Sequence, residues 1–106
     1  MEDDRLKKSM LFDFYGELLT EHQKRIYQEI VFEDYSVSEV AQDEGVSRPG
    51  VHDLMKRCDR LLEEYEEKLH LVEKFLHIRE KIGEIRALTD EGSEIDRVAG
   101  AILEEI

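Results

Sequence analysis

The sequence predicts an all-α protein organised around a helix-turn-helix. Apolar residues recur at three- and four-residue steps along most of the chain, and no run alternates as a strand would. Charged residues make up 40% of the 106 residues, and there is one proline. Near the middle of the chain, helix-capping residues flank a glycine at the spacing of a tight interhelical turn. We therefore expect a helical head, a long C-terminal helix after it, and a final amphipathic helix.

Two helices are predicted before the central motif. Residues 5–19 place their apolar side chains on one side of a first helix, and Gly16 weakens its C-terminal end. Thr20 and Gln23 have the spacing of a capping box, so a second helix is expected over residues 21–33. Because neither helix is long enough to be stable alone, both must pack against the helices that follow.

The central motif spans residues 36–57 and forms the predicted helix-turn-helix. Ser36 begins a second capping box, and Gly45 supplies the left-handed backbone that the turn needs. Ala41 is small enough for the second helix to cross closely, and Ser47 caps that second helix. Val46 is expected to fill the space between the two helices. The expected buried stripe of the second helix consists of Val51, Leu54, Met55 and Cys58.

The C-terminal half continues the second helix of the motif well past the head. Residues 58–82 contain no proline or glycine, which predicts one helix that runs to about Lys81. Ser93 then caps a last helix. These features divide the chain into a head at residues 1–60 and an oligomerisation region at residues 61–106. Its surplus apolar surface predicts a homodimer, although residues 94–106 folding back on their own chain would leave a monomer.

Charge decides how strongly the motif indicates DNA binding. The formal net charge is −12, and an acidic protein lacks the general attraction to phosphate that gives most non-specific affinity for DNA. Residues 47–60 differ from the rest, since they carry four basic and two acidic side chains. The second helix of a helix-turn-helix lies in the major groove, where its side chains contact bases and phosphates. The predicted DNA-contacting residues are Arg48, His52, Lys56 and Arg57.

The sequence disfavours several other classes of protein and site. No apolar run approaches the length of a membrane span, so no membrane insertion is expected, and the mostly charged residues 1–10 do not form a signal peptide. The single cysteine excludes a disulfide framework and fits the cytoplasm. His70 and His77 lie on a helix face with two glutamates, but Lys74 would repel a cation, so no metal site is predicted. Because no catalytic constellation or cofactor-binding loop is present, we expect a non-enzymatic protein without a cofactor.

Three stretches resemble the YlxM family of small bacterial helix-turn-helix proteins. They are LFDFYGELLT at residues 11–20, EDYSVSEVAQDEGVSRPGV at residues 33–51 and EEYEEKLHLVEKF at residues 63–75, and the likeness covers about residues 10–81. Residues 18–60 also resemble region 4 of bacterial sigma factors, which binds promoter −35 elements. This implies a trihelical core similar to a winged helix without its wing. The family's genes lie beside those for the GTPase of the signal recognition particle and its receptor, which implies a role in that pathway.

Two departures from the family pattern bear on function. Pro49 and Gly50 stand where the family usually has Gln-Ala, which removes a hydrogen-bonding side chain from the first turn of the recognition helix. The chain beyond Arg86 matches the family poorly. Two hypotheses result: a DNA-binding regulator acting as a dimer, or an acidic module that binds a protein of the signal recognition particle system, or of the secretion and translation machinery, without sequence-specific DNA binding.

Overall fold

The computed structural model describes residues 2–106, which form six α-helices and no strand. The helices are α1 Glu2–Tyr15, α2 Glu21–Val31, α3 Val37–Glu44, α4 Arg48–Leu69, α5 Leu71–Ala87 and α6 Glu94–Glu105, and a 3₁₀ helix at Gly16–Leu18 joins α1 to α2. The predicted all-α class is confirmed. None of the helices in residues 2–106 combines the length and the apolar character needed to cross a lipid bilayer.

The chain divides into two compact units, a head that ends at Leu69 and a hairpin at His70–Ile106. The head contains α1 to α4, and the hairpin contains α5 and α6. The sequence predicts the division between residues 60 and 61, whereas the structure has it between residues 69 and 70. The later boundary gives the head the whole of α4.

Four helices begin at caps that the sequence predicts. At the start of α2 and of α3, the cap side chain and the third helical side chain each accept a hydrogen bond from the other's backbone N–H. The N–H of Gly50 donates to Ser47 Oγ at 3.0 Å at the start of α4. The N–H of Asp96 donates to Ser93 Oγ at 3.1 Å at the start of α6. Because these bonds satisfy N–H groups that have no partner inside the helix, they fix where each helix starts.

The core of the head forms around α4. The buried members of an apolar cluster that joins α2, α3 and α4 are Ile26, Val40, Ala41 and Val51. Elsewhere along α4, helix α1 packs against it, and the rings of Tyr15 and Tyr65 lie 5.9 Å apart. The Tyr15 hydroxyl also donates a hydrogen bond to Glu66 Oε1 at 2.5 Å. Helix α4 is thus held by three neighbours, while its remaining face lies at the surface.

Helices α4 and α5 are separate, so the prediction of one helix running to about Lys81 is wrong. Helix α4 ends at Leu69, and His70 has φ 54° and ψ 30°, which is left-handed backbone. Histidine is one of the few residue types other than glycine that is enriched in this conformation. The sequence does not mark this break, because it has neither glycine nor proline there and its apolar residues keep helical spacing on both sides. Helix α5 in turn runs through Gly83 to Ala87.

In the hairpin, α6 packs back on α5 of the same chain. Arg86 Nε donates to Asp96 Oδ1 at 2.7 Å, and the N–H of Gly92 donates to Asp96 Oδ2 at 3.0 Å. Among the hairpin residues, Ile82 and Ala99 are the buried apolar ones. The intramolecular contact that the sequence left open is therefore present, but it covers little of the apolar surface of either helix.

Candidate nucleic-acid interface

Helix α3, a short turn and α4 form the helix-turn-helix that the sequence predicts. Gly45 ends α3 with φ 68° and ψ 31°, in the left-handed region that glycine enters without steric cost. The N–H of Val46 donates to the carbonyl of Ala41 at 3.0 Å, which closes the turn. The Val46 side chain was expected between the helices but is 41% exposed. The crossing is already filled by buried Ala41 and Val51, so the turn residue stays at the surface.

The predicted DNA-contacting residues are all exposed side chains of α4. Arg48, His52 and Lys56 are four residues apart, so they lie one above another along about 12 Å of the helix. We call these three residues, together with Arg60 four residues further on, the basic row. Arg57 lies about 100° further round the helix. It lines a groove of about 340 Å³ together with His22 of α2, so the structure places it beside the row and not within it.

The basic side chains of α4 differ from most others in the head because none of them forms an ion pair with a carboxylate of residues 4–106. Elsewhere in the head, four basic side chains lie no more than 3.8 Å from a carboxylate: Lys7, Lys8, Lys24 and Arg25. Among residues 4–106, whose side chains the structure describes, no such ion pair includes Arg48, Lys56, Arg57 or Arg60. These positive charges remain available to an anionic ligand.

Two residues that bear on the site were not among those predicted. Arg60 is exposed and extends the basic row by one more four-residue step, so the spacing of the row would have found it. Asp53 is exposed on the same helix and lines the groove beside Arg57. Its negative charge would repel a phosphate, and it therefore weakens the site for an anion.

Asp59, the other acidic residue of this stretch, points toward neighbouring helices. The Tyr27 hydroxyl donates to Asp59 Oδ1 at 2.9 Å, and Lys8 Nζ lies 3.7 Å from Asp59 Oδ2. Burial raises the pKa of Tyr27, and the charge of Asp59 raises it further, so the hydroxyl stays protonated as a donor. Lys8 of α1 and Tyr27 of α2 partly satisfy the charge of Asp59. The outer face of α4 is therefore more positive than the residue counts suggest.

Cys58 and His70 lie in local environments that bear on the other sites considered from the sequence. Cys58 is fully buried, as predicted, and burial raises the pKa of its thiol to about 11. It is therefore protonated at neutral pH and unsuited to nucleophilic chemistry. His70 lies at a helix break and not within a helix, and its Nδ1 is 3.2 Å from Glu73 Oε2. It does not share a continuous helix face with His77 in the way the sequence suggests.

Comparison with known sequences assigns the chain to a family. The profile of the UPF0122 family, described as "Putative helix-turn-helix protein, YlxM / p13 like", matches residues 2–99. The chain belongs to this family. A UPF0122 protein of Caldanaerobacter subterraneus is 45% identical over 86 residues, which are 81% of this chain and 74% of the relative. A UPF0122 protein of Halalkalibacterium halodurans is 38% identical over 106 residues, which are 100% of this chain and 96% of the relative.

The family match confirms the resemblance to YlxM proteins and corrects its extent. The likeness was expected over about residues 10–81, with a poor match beyond Arg86. The family profile instead reaches residue 99, and the Halalkalibacterium relative aligns with the whole chain. The first half of α6 therefore lies inside the region that the family profile matches, and the sequence of the whole hairpin aligns with the Halalkalibacterium relative.

Proposed function

We propose that this protein is a non-enzymatic DNA-binding regulator that presents α4 to the major groove of DNA. The observation that carries the proposal is the exposed basic row from Arg48 to Arg60, whose positive charges form no ion pair with a carboxylate of residues 4–106. The helix-turn-helix family supports it, because that motif typically places its second helix against the base edges.

The roles of the individual residues follow from their positions along α4. Arg48 and His52 lie near the N-terminal end, which approaches base edges or the adjacent phosphates in a helix-turn-helix. Lys56 and Arg57 lie further along and contact phosphates. Pro49 and Gly50 contribute no hydrogen-bonding side chain, so few base contacts are expected. With a net charge of −12, binding should be weak and strongly dependent on salt.

The proposed setting is the cytoplasm and the signal recognition particle pathway, and the active form is a homodimer. The pathway comes from the resemblance to YlxM proteins, not from the geometry of the site. Crosslinking the protein to DNA in cells and sequencing the recovered fragments tests it. Enrichment near the genes for the particle's GTPase or its receptor is expected, and an even distribution over the chromosome would contradict a specific role there.

Fluorescence anisotropy with a labelled mixed-sequence duplex tests DNA binding directly. We compare the parent protein with an Arg48→Ala, Lys56→Ala variant across a range of salt concentrations. Loss of these two basic side chains should weaken binding about tenfold or more. It should reduce the slope of log K against log salt by about 1 if Arg48 contacts a base and by about 2 if it contacts a phosphate. The control is Lys74→Ala, Arg79→Ala, which removes the same charge from exposed positions of α5. Equal losses in both variants, or no binding by the parent, would reject the proposal.

A second candidate function is supported by the acidic surface of the head. Residues 20–46 carry seven acidic and two basic side chains. Both basic ones, Lys24 and Arg25, already have carboxylate partners at 2.5 Å, so most of the acidic groups are uncompensated. This surface suits a basic protein of the secretion or translation machinery. A pull-down with and without nuclease separates the two candidates, because a protein partner survives nuclease and a DNA-mediated one does not.

A further inference from the structure

Asp53 is an acidic residue in the middle of the exposed basic face of α4. Going round the helix from Arg48, it lies at about 140°, between Lys56 at about 80° and Arg57 at about 180°. All four of these side chains are exposed. Among residues 4–106, none of the ion pairs includes Asp53. Its carboxylate therefore lies at the surface among basic side chains without forming an ion pair with them.

The other acidic residue of this stretch, Asp59, has a structural role that Asp53 lacks. Asp59 accepts a hydrogen bond from the Tyr27 hydroxyl at 2.9 Å and lies 3.7 Å from Lys8 Nζ. Asp53 lies about 120° away round the helix from Asp59 and takes part in no such ion pair. Its charge is left for an external ligand, and a phosphate would be repelled by it.

Gly50 allows α4 to approach a ligand closely at the position of Asp53. Asp53 is in the second turn of α4, and Gly50 lies three residues before it on the same side of the helix. Gly50, Asp53 and Arg57 line the same groove of about 340 Å³. Because glycine has no side chain, it does not hold the helix away from a surface that the helix contacts. The short carboxylate of Asp53 can therefore reach a base edge, while the longer Arg57 reaches a phosphate.

We propose that Asp53 recognises cytosine in the major groove by accepting a hydrogen bond from the N4 amino group of the base. This inference rests on the proposed DNA binding and names the sequence feature that the same surface selects. An ionised carboxylate only accepts hydrogen bonds, so it needs a donor. In the major groove, guanine and thymine offer acceptors, adenine places the acceptor N7 beside its amino group, and cytosine offers its amino group without an acceptor of its own.

The proposal explains how an acidic residue contributes to a basic surface. Arg48, Lys56 and Arg57 attract the phosphates of any sequence, so they supply affinity without discrimination. Asp53 lowers the affinity for sequences that present acceptors to it and lowers it least where a cytosine lies opposite. Specificity is a difference between affinities, and a repulsive group against the wrong partners increases it.

Selection from a library of duplexes with a randomised central segment tests the proposal. The full-length parent should enrich a C·G pair at one position of its binding sites. Asp53→Asn should replace that pair with A·T, because an amide forms two hydrogen bonds with N6 and N7 of adenine. The control is Asp13→Asn, which makes the same chemical change at an exposed position of α1 and should keep the cytosine.

Fluorescence anisotropy then measures the preference with two duplexes that differ only at the selected pair. The parent and Asp13→Asn should bind the C·G duplex about fivefold or more tightly than the A·T duplex. Asp53→Asn should reverse this order. A ratio of affinities is the readout, so a variant that is partly unfolded loses affinity for both duplexes and leaves the ratio unchanged.

The outcomes separate this inference from the proposed function. A preference for C·G that persists in Asp53→Asn would overturn the inference, as would equal losses on both duplexes. A parent that binds duplexes but enriches no cytosine would also overturn it, and each of these results leaves general DNA binding intact. A parent that binds no duplex at low salt would overturn both proposals.

Discussion

The head and the hairpin cover the apolar faces of their helices to very different degrees. Of the twelve buried apolar residues in the described chain, ten lie in the head and two in the hairpin. The head surrounds α4 with three other helices, whereas the hairpin has two helices in contact along one side. A helix pair has no position enclosed from all sides, so it cannot build a core by lengthening. The head therefore has an apolar core of its own, whereas the hairpin leaves most of its apolar side chains at least partly exposed.

The same contrast appears in their ion pairs. Each unit joins two helices through a carboxylate whose pKa is lowered by an arginine: Glu44 with Arg25 in the head, and Asp96 with Arg86 in the hairpin. In the head this pair lies beside an extensive apolar core. In the hairpin only Ile82 and Ala99 are buried, so the loss of the ion pair should matter more there.

The largest effect is expected from overfilling the core of the head with Ala41→Leu. Ala41 is 6% exposed where α3 crosses α4, and a larger side chain should cost about 1–3 kcal/mol. All four tyrosines lie in the head, so tyrosine near-ultraviolet circular dichroism during urea unfolding follows that unit alone. The control is Ala101→Leu at an exposed position of α6, which should leave the head unchanged. An Ala41→Leu head as stable as the parent would contradict the close helix crossing.

A smaller effect is expected on acidification of the hairpin. The Arg86 hydrogen bond and the N–H of Gly92 hold the pKa of Asp96 below its usual value. The resulting stability is present above the ordinary pKa and is lost as pH falls through the lowered one. Thermal unfolding followed by far-ultraviolet circular dichroism reports on both units, and a transition that is absent from the tyrosine signal belongs to the hairpin. This hairpin transition should move to lower temperature below about pH 4. Asp96→Asn should be less stable at pH 7 and should lose part of this acid dependence. A parent hairpin equally stable at pH 3 and pH 7 would contradict the role of the ion pair.

The smallest effect is expected from Asp53→Asn, which should alter binding by the head without altering either fold. Asp53 is exposed, and none of the ion pairs within residues 4–106 joins it to Arg57, so removing its charge takes a repulsive group from the surface that we propose contacts DNA. DNA affinity should rise by about two- to fivefold at low salt and by less at high salt. Glu80→Gln, at an exposed position of α5, is the control for net charge. If both variants gain equally, the effect belongs to total charge and not to this face.

The parts of the fold predictable from the sequence are those set by local interactions. The caps at Thr20, Ser36, Ser47 and Ser93 act within three residues, and Gly45 supplies a backbone conformation that its own structure permits. The sequence does not predict the break at His70, because histidine can adopt left-handed backbone but does not require it.

The site divides in the same way. Four-residue spacing identifies which basic side chains share a face of α4. Which charges stay available depends on partners distant in sequence, as Arg25 shows by pairing with Glu44, nineteen residues away. Net charge over a segment therefore cannot show that the row on α4 is uncompensated while other basic residues are neutralised.

Nuclear magnetic resonance titration of the full-length, isotope-labelled protein with a mixed-sequence duplex tests the division between the two units most directly. We predict amide shift changes concentrated at residues 48–60 of α4 and at the turn before it, with residues 70–106 unaffected apart from general broadening. Changes centred on α5 or α6 would contradict the account, because they would make the hairpin the surface that contacts DNA. A spectrum that does not change at low salt would contradict it as well, because the exposed basic row would then have no nucleic-acid ligand.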